Sequence, residues 1–177
     1  MSSISQAYKS LENSQEQFGA SMKFESKNMR YSKTEASEFF NSIKNDTLAA
    51  RKLEEQNYYT HLITGLFHQI AEQRWITNDF DFLKTRRIVY TNPDCMSFIQ
   101  VLIREDDIHV IVQFRSSDYL NCLPTDLEFI SSIPMALYRF IENNIDDDVA
   151  WPDVDTKFLQ AYSIKKCNFT VSFGSLH

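Results

Sequence analysis

CMSFIQVLIREDDIHVIVQFRSSD, from Cys95 to Asp118, is the stretch on which the fold of this chain turns. Met96 to Arg104 and Ile108 to Phe114 read as strands, and the polar residues Glu105-Asp106-Asp107 between them read as a turn. Cys95 and Arg115 then stand at the two ends of one hairpin, followed by Ser116-Ser117-Asp118 and by Leu123-Pro124-Thr125-Asp126. A thiol, a guanidinium, a hydroxyl and two carboxylates are gathered into one strand-turn-strand-loop unit. A thiol is a useful nucleophile only as thiolate; a neighbouring guanidinium lowers its pKa and can also hold a phosphate bidentately.

Outward from the hairpin, Leu123 to Asn143 reads as a helix with Leu127, Ile130, Leu137, Phe140 and Ile141 apolar, and Pro134 is expected to kink or interrupt it. Asn168 to Phe173 alternates as a strand, and Arg87 to Thr91 is a short β-branched run. Towards the amino terminus, Tyr59, Leu62, Ile63, Leu66, Phe67 and Ile70 lie on one helical face, with Asp46 or Thr47 as the cap. Ser32-Lys-Thr-Glu35 has capping-box spacing and predicts a helix to about Lys44. Ile4 to Leu11 reads as a short helix and Ala20 to Ser26 as a strand. The expectation is an α+β fold with a mainly sequential sheet. It forms one domain over 1–177, helical over 1–80, with the sheet and the site in 81–177.

The 177 residues are one domain's worth, and 43% hydrophobic with 24% charged residues is a globular balance. A net charge of −6 argues against direct nucleic-acid binding. Three glycines, Gly19, Gly65 and Gly174, cannot build a glycine-rich phosphate loop, which removes P-loop and dinucleotide fingerprints. Cys95, Cys122 and Cys167 are odd in number and form no CxxC pair; with no leader-like opening and no membrane-length apolar run, a cytoplasmic chain with free thiols is expected.

From Arg86 onward the chain resembles the thymidylate synthase family, and most of all its phage deoxycytidylate (dCMP) hydroxymethylase branch. The matching elements are Arg86-Arg87-Ile-Val, Cys95 with Gln100 five residues on, Arg115-Ser116-Ser117-Asp118, Leu123-Pro124-Thr125-Asp126, and Phe173-Gly174-Ser175-Leu176-His177. The resemblance implies a thymidylate synthase-like fold, a mixed β-sheet packed with helices, shortened after the strand ending near His177; residues 1–80 diverge from the family. It also implies a pyrimidine nucleoside monophosphate C5 one-carbon transferase. Cys95 would add to C6 of the base, and Arg115 and Ser116 would bind the 5′-phosphate. Arg86 and Arg87 would complete that phosphate site across a homodimer. Gln100 belongs to the substrate site, Asp118 would help orient the base, His177 would approach the ribose, and 5,10-methylenetetrahydrofolate would be the donor. Asp126 stands where thymidylate synthases carry Asn; a carboxylate accepts from the N4 amino group of cytosine, so dCMP is expected over dUMP. Glu72 is the candidate for the proton-relaying carboxylate.

Cys122 stands where the family has Gly, the loop between Asn92 and Cys95 is short, and the sequence stops at His177 where family members continue. These departures keep two alternatives open: a catalytically silent homologue acting as a binding or dimeric interaction protein, and an enzyme completed by a second polypeptide. Taken alone, a cysteine at a strand start is usually a small buried hydrophobe. His61 and His68 lack a carboxylate at ligand spacing, and Asp146-Asp147-Asp148 reads as a solvated acidic loop rather than a Mg²⁺ site. Cys122 and Cys167 read as structural.

Overall fold

The computed structural model describes residues 2–12, 19–44, 46–77, 88–104, 107–143 and 162–176, with backbone only over 71–77. Its elements are α1 (Ile4–Ser10), β1 (Ser21–Ser26), α2 (Met29–Ile43), α3 (Asp46–Thr77), β2 (Ile88–Thr91), β3 (Met96–Ile103), β4 (Asp107–Ser117), α4 (Leu123–Asn143) and β5 (Lys166–Leu176). The sheet has five strands in the order β1-β5-β4-β3-β2. β2, β3 and β4 form an antiparallel meander, and β5 runs parallel to β4. Parallel neighbours need a crossover connection, and α4 lies in the one between β4 and β5. β1 closes the far edge antiparallel to β5, so the sheet is mixed and sequential except for this first strand.

Register shows which side chains share a face. Ile88, Val101, Val110, Phe169 and Phe24 lie in one cross-strand row, and every one of them is buried in the core shared with the four helices. The neighbouring row on the opposite face is Val89, Gln100, Ile111, Thr170 and Lys23, and none of these joins that core. The helices therefore cover one face of the sheet. Gly65 lets α3 approach β2 closely, because a Cβ there would meet the Tyr90 ring at 2.4 Å.

Two helices differ from their sequence-based expectations. α2 starts at Met29, not at Ser32, because the Asn28 side chain accepts the Tyr31 N–H at 3.0 Å. Ser32 turns inward instead and donates its hydroxyl to the Ser131 carbonyl at 3.1 Å, joining α2 to α4. α4 runs without interruption through Pro134. An interior proline costs roughly 3 kcal/mol. Ile130, Ile133, Leu137 and Ile141 are all fully buried, and at about 1.5–3 kcal/mol each they outweigh it. Of the hairpin strands, β3 ends one residue short of the expected Arg104, while β4 extends beyond its expected end, continuing to Ser117 and carrying Arg115 and Ser116 with it.

Candidate functional site

The open end of the β3–β4 hairpin brings the thiol and the guanidinium together. Met96 pairs with Phe114, and the Arg115 N–H donates to the Cys95 carbonyl at 2.8 Å, so residues twenty apart in sequence become cross-strand neighbours. A register shift between Met96 and Phe98 marks a bulge beside Cys95, a common device for re-aiming a side chain at the end of a ladder. Cys95 is exposed, while its neighbour Met96 donates its N–H to the Tyr58 hydroxyl at 3.1 Å, tying the strand start to α3. A cavity of about 510 Å³ opens here, within the usual range for small-molecule sites. Cys95, Arg115, Ser116, Asp118 and Asp126 all line it. Gly174 keeps β5 against this rim, because a Cβ there would stand 2.6 Å from the Arg115 carbonyl oxygen.

The opposite wall comes from α3. Arg51, Glu55 and Tyr59 are spaced i, i+4, i+8 and form one stripe. Arg51 Nε donates to Glu55 Oε1 at 2.5 Å, and the Tyr59 hydroxyl lies 2.8 Å from Glu55 Oε2 and 2.8 Å from Asp126 Oδ1. Ser117 donates to the second Asp126 oxygen at 3.2 Å. Burial, opposed by the bonds from Tyr59 and Ser117 and by the Arg51 charge and helped by the Glu55 charge, pushes the Asp126 carboxyl up to about 7. Burial likewise pushes the Tyr59 phenol far above its ordinary value, with the charges of Asp126 and Glu55 adding to the effect. Burial pushes Tyr58 up to about 12 and raises the Cys122 thiol, although the Arg51 guanidinium acts the other way on Cys122.

Asp126 lies in the first turn of α4 and not at the end of a loop, is 6% exposed, and has a partner on each oxygen. Asp118 organises the entry to α4, its carboxylate accepting the Leu120 N–H, the Asn121 N–H and the Asn121 amide, each at 2.9 Å. Gln100 does not reach the cavity. Its register with Val89 and Ile111 places it on the face of the sheet turned away from the helices. Arg86, Arg87, His177 and the acidic run Asp146-Asp147-Asp148 lie outside the described residues, as does the side chain of Glu72. The carboxylate that does face the cavity from α3 is Glu55. Arg51, Glu55 and Tyr58 were missed by sequence reasoning, and Tyr59 was assigned only to an apolar face; the signal available was the i, i+4, i+8 polar stripe that continues this face towards the helix start. Cys122, expected to be structural, borders the cavity. Among the described residues no group of three His, Cys, Asp or Glu could hold a metal ion, and no helix is long and apolar enough to cross a membrane.

No protein-family profile matches the chain, and no curated protein does. Solved structures do match. One is the thymidylate synthase from T4 phage, which is 14% identical, with a TM-score of 0.45. The alignment covers 92% of this chain and 66% of that one, so the chain spans just under two thirds of that protein's length.

Proposed function

We propose that the chain is a C5 one-carbon transferase acting on a pyrimidine nucleoside monophosphate, with dCMP preferred to dUMP. The observation that carries this reading is that one cavity gathers the exposed Cys95, the Arg115–Ser116 pair and two carboxylates, Glu55 and Asp126. Pyrimidine C5 is a poor nucleophile until C6 is attacked, and covalent addition divides one hard step into easier ones. Cys95 Sγ, as thiolate, bonds to C6, and the C5=C6 π pair moves onto C5 and the C4 substituent. Once C5 carries the one-carbon unit, a base removes the C5 proton and the carrier would leave from that unit. Water would then add to the transferred carbon, and the pair that moves back restores C5=C6 and expels the thiolate. Glu55 is the carboxylate assigned to that proton. Arg115 and Ser116 hold the 5′-phosphate, whose binding energy positions the ring. Methylenetetrahydrofolate as donor would supply the one-carbon unit; Tyr58 and Cys122 are the described residues suited to a wall for its pterin.

A homodimer accompanies this reading. Val89 and Ile111 lie on the uncovered sheet face and outside the core, which suits packing against a second copy. The partner's Arg86 and Arg87 would then complete the phosphate site, which has Arg115 as its cation on the described strand. Sedimentation is expected to show a dimer that Ile111→Lys converts to monomer. A wild type that stays monomeric well above its nucleotide Kd removes the shared site.

Asp126 is the base-reading residue of the proposal. A carboxylate accepts from cytosine N4–H₂ but meets uracil O4 as acceptor against acceptor, whereas an amide can both accept and donate. Leaving such groups unpaired costs about 1–3 kcal/mol, roughly ten- to a hundredfold in affinity. Calorimetric titration is therefore expected to show dCMP binding more tightly than dUMP, and Asp126→Asn is expected to shift the ratio towards dUMP by a comparable factor. Failure of either nucleotide to bind overturns the proposed function; equal affinities, or a ratio unchanged by the substitution, remove Asp126 from base reading.

A further inference from the structure

The cavity wall contains an arrangement whose protons do not balance if every carboxylate is ionised. Tyr59 lies 2.8 Å from an oxygen of Glu55 and 2.8 Å from an oxygen of Asp126, yet a phenol has a single proton to donate. With both acids ionised, one carboxylate oxygen would face a phenolic lone pair at hydrogen-bond distance in a part-buried setting, a repulsive contact. One additional proton removes the conflict. The surroundings favour Asp126 as its site. Glu55 is held by the Arg51 guanidinium at 2.5 Å, which suits an anion. Among the described residues, the hydrogen-bond partners of Asp126 are two hydroxyls, those of Tyr59 and Ser117, and it is 6% exposed.

We infer that Glu55, Tyr59 and Asp126 form one proton-sharing unit in which two carboxylates carry a single proton between them and Tyr59 is the positioning residue that links them. The unit is a two-step proton wire. As the Asp126 O–H proton moves to the Tyr59 oxygen, the Tyr59 proton moves to Glu55, so the charge passes from Glu55 to Asp126 and the phenol is neutral before and after. No phenolate is needed, in keeping with the burial that disfavours one. Among the described residues, the ionisable groups around the unit are Arg51, Lys52 and Tyr58 on α3, Asp94 and Cys95 ahead of β3, Arg115 in β4 and Asp118 just after it, Cys122 ahead of α4 and Glu128 on α4. In the proposed reaction, on which this consequence rests, holding the shared proton on Asp126 keeps Glu55 ionised and able to take up a ring proton, which it then returns to solvent. It also makes Asp126 a neutral acid over part of the pH range, able to donate as well as accept, so the preference for cytosine over uracil belongs to the pH range in which Asp126 is ionised.

The test uses the full-length, ligand-free protein carrying ¹³C-labelled Asp and Glu carboxyl groups, titrated by NMR over about pH 5 to 9. The Asp126 carboxyl resonance is expected to inflect near neutrality, and the Glu55 resonance to register that same proton through the Tyr59 bridge as a shared inflection. Tyr59→Phe keeps the ring that stacks on Phe129 but removes the bridging oxygen, and is expected to abolish the shared inflection at Glu55. Asp126→Asn is expected to do the same. An Asp126 that is ionised throughout the range, or a Glu55 curve identical in wild type and Tyr59→Phe, overturns the inference. If Tyr59→Phe does not fold, the wild-type curves alone decide it: coincident inflections support the unit and independent ones remove it. No nucleotide is present in these titrations. A coupled pair in a chain that binds no nucleotide would retain the wire and discard the proposed reaction.

Discussion

Replacing Cys95 by Ser is expected to abolish exchange of the C5 hydrogen of a bound pyrimidine nucleotide. Addition of a thiolate at C6 makes C5 basic, so C5 takes a proton from solvent and loses its own on reversal, without any one-carbon donor. In D₂O this appears as loss of the H5 proton signal of dCMP. A serine hydroxyl at neutral pH is almost wholly protonated, and removing an activated nucleophile typically costs a factor of about 10³ or more. Cys95 is exposed at the cavity mouth, so the conservative change leaves packing intact. Cys167→Ala, at a fully buried position on β5, is expected to leave exchange in place. Exchange that persists in Cys95→Ser would take this thiol out of the mechanism. A wild type that binds dCMP without exchanging it would make the chain a binding protein.

Phe169→Ala is expected to be the most destabilising single change in the sheet. Phe169 is 1% exposed, pairs with Val110 on one side and Phe24 on the other, and stacks on the Phe24 ring at 4.7 Å between centroids. Its truncation removes a large buried side chain where three strands meet and the backbone cannot collapse to fill the space. The expected loss is about 3–5 kcal/mol. A domain of this size is stable by roughly 5–15 kcal/mol, so the variant sits near its unfolding threshold. Leu53→Ala, at a position 74% exposed on α3, is expected to change stability by less than about 0.5 kcal/mol. Urea unfolding measures both. A Phe169→Ala midpoint equal to that of wild type, with an unchanged slope, would contradict the burial of β5 at the centre of this core.

The hairpin and the helices were legible because their signals are local. Alternation over Ile99–Ile103 and Ile108–Phe114, and the apolar repeat through Leu62, Leu66 and Ile70, follow from side-chain period alone. The meeting of Cys95 with Arg115 was legible for the same reason, since a hairpin must bring its two ends together. Spacing pointed to Ser32 as the cap; Asn28 takes that place, and contact with Ser131, distant in sequence, drew Ser32 inside. Pro134 broke a local rule that burial of α4 overrode. The face taken by Gln100 depended on the bulge after Met96, because one extra residue changes which side of a strand every later side chain occupies.

By itself the sequence determined the α+β class, the strand-turn-strand unit and the grouping of Cys95, Arg115, Ser116, Asp118 and Asp126 along one segment. Only the tertiary structure decided that the long helix α3 closes the cavity, that Glu55 is the carboxylate it brings, and that Tyr59 joins Glu55 to Asp126 across 67 residues of chain. The physical reason is the range of the forces involved. Periodicity and turn chemistry act over a few residues. The contact of Glu55 and Asp126 through Tyr59 exists only where packing has buried Asp126 and placed one phenol between the two carboxylates.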